Sequence, residues 1–176
     1  MIKKVLATVV VIAFAVGSAA MVAPLFFLRP EKLRSDAAHA PAPTRLRIPS
    51  IGVDAPVEPD TATATGALTL PGDLTWVGWY SQGVHPGQAG DAVIAGRVDA
   101  SGVAALARLG EVRPGSRIDV EMTDGATLTF EVARAESYAG NRQPADLFAR
   151  SGTPRLSLIA SGRSRVVVEA TLRPAR

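Results

Sequence analysis

The 176-residue chain is 47% hydrophobic and 20% charged, has a net charge of +3, and contains no cysteine and only two histidines. Those counts exclude thiol nucleophiles, disulfides and cysteine-ligated metals, and they leave almost nothing from which to build a histidine metal site or a Ser-His-Asp triad. From Pro41 onward basic and acidic side chains are equal in number, so the whole excess lies before that point, and the high pI is no sign of a nucleic-acid-binding domain.

After Met-Ile-Lys-Lys, Val5 to Leu28 form one unbroken uncharged run. As a helix this run would reach about 36 Å, enough to cross a bilayer core. Residues 1–28 are therefore read as an N-terminal membrane anchor or uncleaved signal sequence. A cleavable signal peptide, cut after Ala20, is the rival reading, but its apolar region is ordinarily shorter. Lys3 and Lys4 face Arg29, Lys32 and Arg34 across the span, so the charge bias for orientation is nearly balanced. Basic residues beside an anchor suit lipid head groups. Residues 29–43, RPEKLRSDAAHAPAP, mix Pro, Ala and charge without an apolar period and read as a linker. Residues 44–176 are the folded domain, long enough for a real core.

Short β-rich runs then follow, broken at close intervals by Gly, Pro or Asp-Gly. RLRIPSIGVDAPV (45–57) gives two extended pieces around Pro49. GALTLP (66–71) and WVGWY (76–80) come next, and Trp76, Trp79 and Tyr80 are read as core and rim aromatics. DAVIAGRV (91–98) is an apolar strand that runs into Arg97 and then Asp99. In 116–138 two alternating runs flank Asp124-Gly125, a hairpin signal. RLSLIAS (155–161) and RVVVEATL (165–172) are the last two runs. VAALARL (103–109) and PADLFAR (144–150) are predicted to be short helices, the second with Pro144 in its first turn. About eight short strands and no long amphipathic helix predict an all-β, closed eight-stranded barrel, with a two-sheet sandwich as the alternative.

Four collinear stretches resemble bacterial sortases, most of all the actinobacterial class E and F group. They are RLRIPSIGVDAPV, the segment GALTLPGDLTWVGWYSQGVHPGQAGDAVIAGRVDASG, LARLGEVRPGSRIDVEMTDG, and LSLIASG. The resemblance spans roughly residues 44–172 and implies a sortase-type barrel in which Ala92–Ala95 and Leu156–Ile159 are neighbouring strands. It also implies a chemistry. Sortases cut a sorting-signal peptide with a cysteine thiolate and pass the acyl group to an amine. Residue by residue, the family's histidine position matches Arg97, and its cysteine position matches Ser161, with Ala160 where threonine is usual. The loop before the last strand, SGRSR, is shorter than the family's. Its arginine therefore has two candidate counterparts, Arg163 and Arg165.

These exchanges remove the reaction's working parts. A guanidinium stays protonated, so Arg97 can act neither as a base nor as a proton donor to a leaving amine. A serine hydroxyl needs an adjacent base. Bland readings remain beside the functional ones: Arg97 as a solvated strand end, Ser161-Gly162 as a turn, and His85 in GVHPG as a loop residue. The leading functional reading is a catalytically degenerate, membrane-anchored sortase-like domain. It would face the outside of the cell and bind a peptide or a cell-surface protein, either alone or as an assembly factor beside a true sortase. Arg97, Asp99, His85 and Ser161 are its groove candidates. The alternative is an active transpeptidase that uses Ser161. Neither reading calls for a cofactor, a metal or a nucleic acid.

Overall fold

The computed structural model describes residues 40–60, 68–99, 102–140 and 142–174. The protein separates into two units, Met1–Ala40 and Pro41–Arg176, and the fold reported is that of the second. The anchor segment, and the linker as far as residue 39, lie outside the described residues.

Alternation builds the first hairpin. In β1 (Pro43–Ile48), Leu46 and Ile48 are fully buried while Arg47 points outward. Pro49 cannot continue the ladder, so a 3-10 turn, Pro49–Ile51, reverses the backbone into β2 (Val53–Asp60). β3 (Val77–Tyr80), β4 (Asp91–Arg97), β5 (Arg117–Met122) and β6 (Thr127–Ala139) follow, and then β7 (Arg155–Ser161) and β8 (Ser164–Leu172). They close in the order β1-β2-β3-β4-β7-β8-β6-β5, with β5 returning to β1. Closure leaves no sheet edge and rules out the sandwich. The Asp124-Gly125 hairpin joins β5 to β6 as expected. Gly125 has φ +83 and donates its N–H to the Met122 carbonyl, while the Asp124 carboxylate accepts from the Ala126 N–H.

The two segments predicted to be helices are not helical. Residues 105–108 form successive turns that end in a three-residue 3-10 turn, Leu109–Glu111, and residues 145–148 form turns alone. Each is too short to nucleate a helix, and docking against the barrel determines its path. Leu106 and Leu109 enter the main core, whereas Leu147 and Phe148 pack on the outer surface of the sheet.

That outer packing explains why β4 is apolar on both faces. Ala92 and Ile94 face the barrel interior with Leu156, Leu158, Phe130 and Val168. Val93 and Ala95 face outward, against Ile159, Leu147, Leu68 and Leu70. β4 and β7 run parallel, from Ala92 opposite Leu156 to Ala95 opposite Ile159, in the neighbouring arrangement expected. A parallel pair covered on both sides needs a continuous apolar run. The covering segment is fastened where β4 begins. The Asp91 N–H donates to the Ala149 carbonyl and the Arg155 N–H to the Gly90 carbonyl, each at 2.8 Å. Gly90 is required there, because a Cβ on it would lie 2.5 Å from the Ala149 oxygen.

Candidate functional site

The parallel register carries β4 and β7 to a shared end, where Arg97 stands opposite Ser161. Gly162 and Arg163 make a tight two-residue connection, so β8 returns with Arg165 opposite Ser161. On the far side of β8, Arg165 stands opposite Tyr138 of β6. Arg97, Ser161, Arg165 and Tyr138 thus form one row across four adjacent strands. Alternation decides which way the row faces. Val93, Ala95 and Ile159 point outward, so Arg97 and Ser161, further along by whole pleats, do the same. Val166 and Val168 pack toward the interior, which sends Arg165 outward as well.

Beside this row lies a cavity of about 180 Å³, lined by Leu68, Leu70, Gln143, Phe148, Ile159, Ser161 and Arg165. The Arg165 Nη1 donates to the Gln143 Oε1 at 2.7 Å. Ser161 is half-buried and Arg97 is exposed. Phe148 sits in the left-handed region at φ 74, a strained backbone for an aromatic residue, and its ring meets Tyr80 edge-on at 5.3 Å. Among the described residues no imidazole or carboxylate is hydrogen-bonded to Ser161. The row is cationic. On the same face of β6, the Glu136 carboxylate is engaged by Arg134 at 3.7 Å and by the Tyr138 hydroxyl.

The other sequence-derived candidates fall elsewhere. Arg163 and Asp99 line a separate recess of about 490 Å³ with Val98, Leu106 and Val166. His85 belongs to the loop that leads into the start of β4, whereas Arg97 is that strand's last residue, a separation of roughly 20 Å at 3.3 Å per residue. The His85 Nδ1 lies 2.9 Å from the Pro41 carbonyl, and its ring meets Trp79 edge-on at 4.7 Å. A carbonyl only accepts, so Nδ1 carries the proton, and His85 ties Pro41 to the barrel. Of the three aromatics, Trp79 is core and Tyr80 is half-buried at the cavity's edge, while Trp76 is 39% exposed.

A second polar cluster gave no sequence signal. Asp91 and Ser157 are 3% and 1% exposed, and the Ser157 hydroxyl donates to the Asp91 Oδ2 at 2.9 Å. The Asp91 Oδ1 is buried without a hydrogen-bond partner among the described residues. Burial pushes this carboxyl up to about 6, against the opposing pull of the Ser157 hydrogen bond and the Arg155 charge. Arg155 is itself held on Asp146 at 2.7 Å and lies 3.9 Å from Glu169. No group of three or more His, Asp or Glu among the described residues is placed to hold a metal ion.

An eight-stranded closed barrel whose parallel β4–β7 pair ends beside a cavity defines the class of protein. The family follows from the sequence. A model of the sortase domain matches residues 46–173, and the chain belongs to the sortase family. Solved structures show the same fold. Sortase A from Corynebacterium diphtheriae is 21% identical with a TM-score of 0.60, covering 77% of this chain and 62% of its own length. Sortase C1 from Streptococcus agalactiae is 21% identical with a TM-score of 0.59, covering 74% and 67%. Sortase C-1 from Actinomyces oris is 22% identical with a TM-score of 0.59, covering 74% and 73%. This chain thus spans under two thirds of the Corynebacterium protein's length. No curated protein sequence matches it.

Proposed function

We propose that this chain is a catalytically silent sortase, of the class E and F type, that uses the family groove to bind a peptide or a cell-surface protein. One observation carries the reading. Arg97 and Ser161, the residues matched in sequence to the family's histidine and cysteine, lie opposite each other at the ends of adjacent strands, and the register of Arg165 with Ser161 supports it over Arg163 as the counterpart of the family's arginine. The scaffold survives while the thiolate and its proton donor are gone. Detergent-solubilised full-length protein is expected to leave a sorting-signal peptide uncut and untransferred. Steady turnover that is abolished by Ser161→Ala would instead establish a serine enzyme.

The same proposal places the barrel outside the cell, held by residues 1–28 and spaced from the membrane by residues 29–43. The uncharged run from Val5 to Leu28 and the Pro/Ala linker support it. Protease treatment of intact cells is expected to remove the domain. Protection until lysis would place it in the cytoplasm.

A further inference from the structure

The row beside the cavity has a chemistry of its own. Two arginines, Arg97 and Arg165, flank Ser161 in the strand register, all three on one face of three adjacent strands. Neighbouring strands lie about 4.8 Å apart, so the backbones of Arg97 and Arg165 are roughly 9.6 Å apart with Ser161 between them, a gap that two long arginine side chains can span to converge on one anion. A scissile amide is neutral and gains little from two fixed positive charges, whereas a carboxylate takes charge-assisted, bidentate hydrogen bonds from arginine.

The adjoining cavity narrows the choice further. Its walls are mostly apolar, from Leu68, Leu70, Phe148 and Ile159, and its about 180 Å³ corresponds to roughly six water volumes, room for one aliphatic or aromatic side chain. An Asp or Glu side chain would bring its carboxylate without an apolar group beside it. The C-terminus of a polypeptide brings both, because the α-carboxylate and the last side chain leave the same carbon. The strained backbone of Phe148 in the cavity wall agrees with a preformed ligand clamp.

Resting on the peptide-groove reading and deepening it, we infer that the site captures the free C-terminus of a partner polypeptide. The α-carboxylate lies between Arg97 and Arg165 and accepts from the Ser161 hydroxyl, and an apolar last side chain enters the cavity. Such a site holds a peptide end without cutting it.

The test uses full-length protein and four fluorescein-labelled probes of equal length. They are a peptide ending in Leu with a free carboxylate, its C-terminal amide, an amidated peptide with an internal Asp, and a free-acid peptide ending in Lys. The Leu acid is expected to bind at least tenfold more tightly than each of the other three. Its affinity is expected to drop about tenfold in Arg165→Gln and in Arg97→Gln, and to fall with added salt, while the amide's affinity stays unchanged. Equal binding of the Leu acid and its amide overturns the carboxylate assignment and leaves the peptide groove standing. Binding of the internal-Asp peptide as tightly as the Leu acid overturns the choice of a C-terminus. Failure of every probe to bind the parent protein overturns the C-terminal capture and the peptide-groove reading together. The comparison of acid with amide in the parent protein does not depend on how the variants fold.

Discussion

A single cysteine placed at position 161 is expected to be a strongly activated thiol. The parent protein has no cysteine, so any labelling of Ser161→Cys reports on that position alone. The new thiol would stand between Arg97 and Arg165 in the strand register. A free thiol titrates near 8.5, and adjacent guanidinium groups lower that value to between roughly 3.5 and 7.5 by favouring the thiolate. The rate of iodoacetamide labelling plotted against pH should therefore have its midpoint below about 7.5. Adding Arg97→His supplies a group able to give a proton to a leaving amine, which the guanidinium cannot do. The double variant should then be trapped by a peptide-linked thiol reagent and show weak cleavage of a sorting-signal peptide where the parent shows none. A labelling midpoint at or above about 8.5 in Ser161→Cys would mean that the two arginines do not face position 161. That result would sink the row on which the functional reading depends.

The second large effect concerns stability, through Asp91. Its carboxyl titrates at about 6 in the folded protein against an ordinary value of 3.8, chiefly because it is buried. The folded state therefore holds this proton more tightly than the unfolded polypeptide does. Between about pH 4 and pH 6 the folded state binds more protons, so stability falls as pH rises through that window and stays low above it. Each tenfold difference in proton affinity is worth about 1.36 kcal/mol, which makes the loss on the order of 3 kcal/mol. Asp91→Asn keeps an acceptor for the Ser157 hydroxyl and removes the buried charge. It should stabilise the barrel by about 1–3 kcal/mol at pH 7.5 and flatten the pH profile. Urea unfolding followed by the fluorescence of buried Trp79 measures both. An unchanged slope between pH 4 and 6 in Asp91→Asn would show that another group governs the acid response.

Why the protein carries such a group follows from its place in the fold. Asp91 opens β4, where the segment covering the outer face of the sheet is tied down through Gly90, Ala149 and Arg155. The Ser157 hydroxyl holds the carboxylate across the β4–β7 pair, near Arg155 and Glu169, while Arg134 bonds to Glu169 from β6. The cluster thus links β4, β7, β8 and β6 beneath the strand ends that carry Arg97, Ser161 and Arg165.

Local chemistry made part of this legible. Period-two alternation, the Asp124-Gly125 turn and the wholly apolar Ala92–Ala95 run are short-range signals, and the barrel's strands appeared where they pointed. The matching of Arg97 and Ser161 to two strand ends was likewise readable from order and spacing in the sequence. Whatever depended on partners distant in sequence was not. The segments at 103–109 and 144–150 have helical patterns, yet docking against the barrel made them turns. His85 and Arg97 are close in sequence, but an intervening strand sends them to opposite ends of the barrel. Arg163 and Arg165 are nearer still and looked interchangeable, until strand register put Arg165 opposite Ser161 and left Arg163 in the turn. Asp91 gave no signal because its surroundings come from β7 and from the segment around Ala149. The sequence by itself determined the strands and the absence of a thiol, since each is a property of residue type and local order. Only the tertiary structure decided which charges share a face and which carboxylate is stripped of water, because closing the barrel brings together residues as far apart as Arg97 and Arg165.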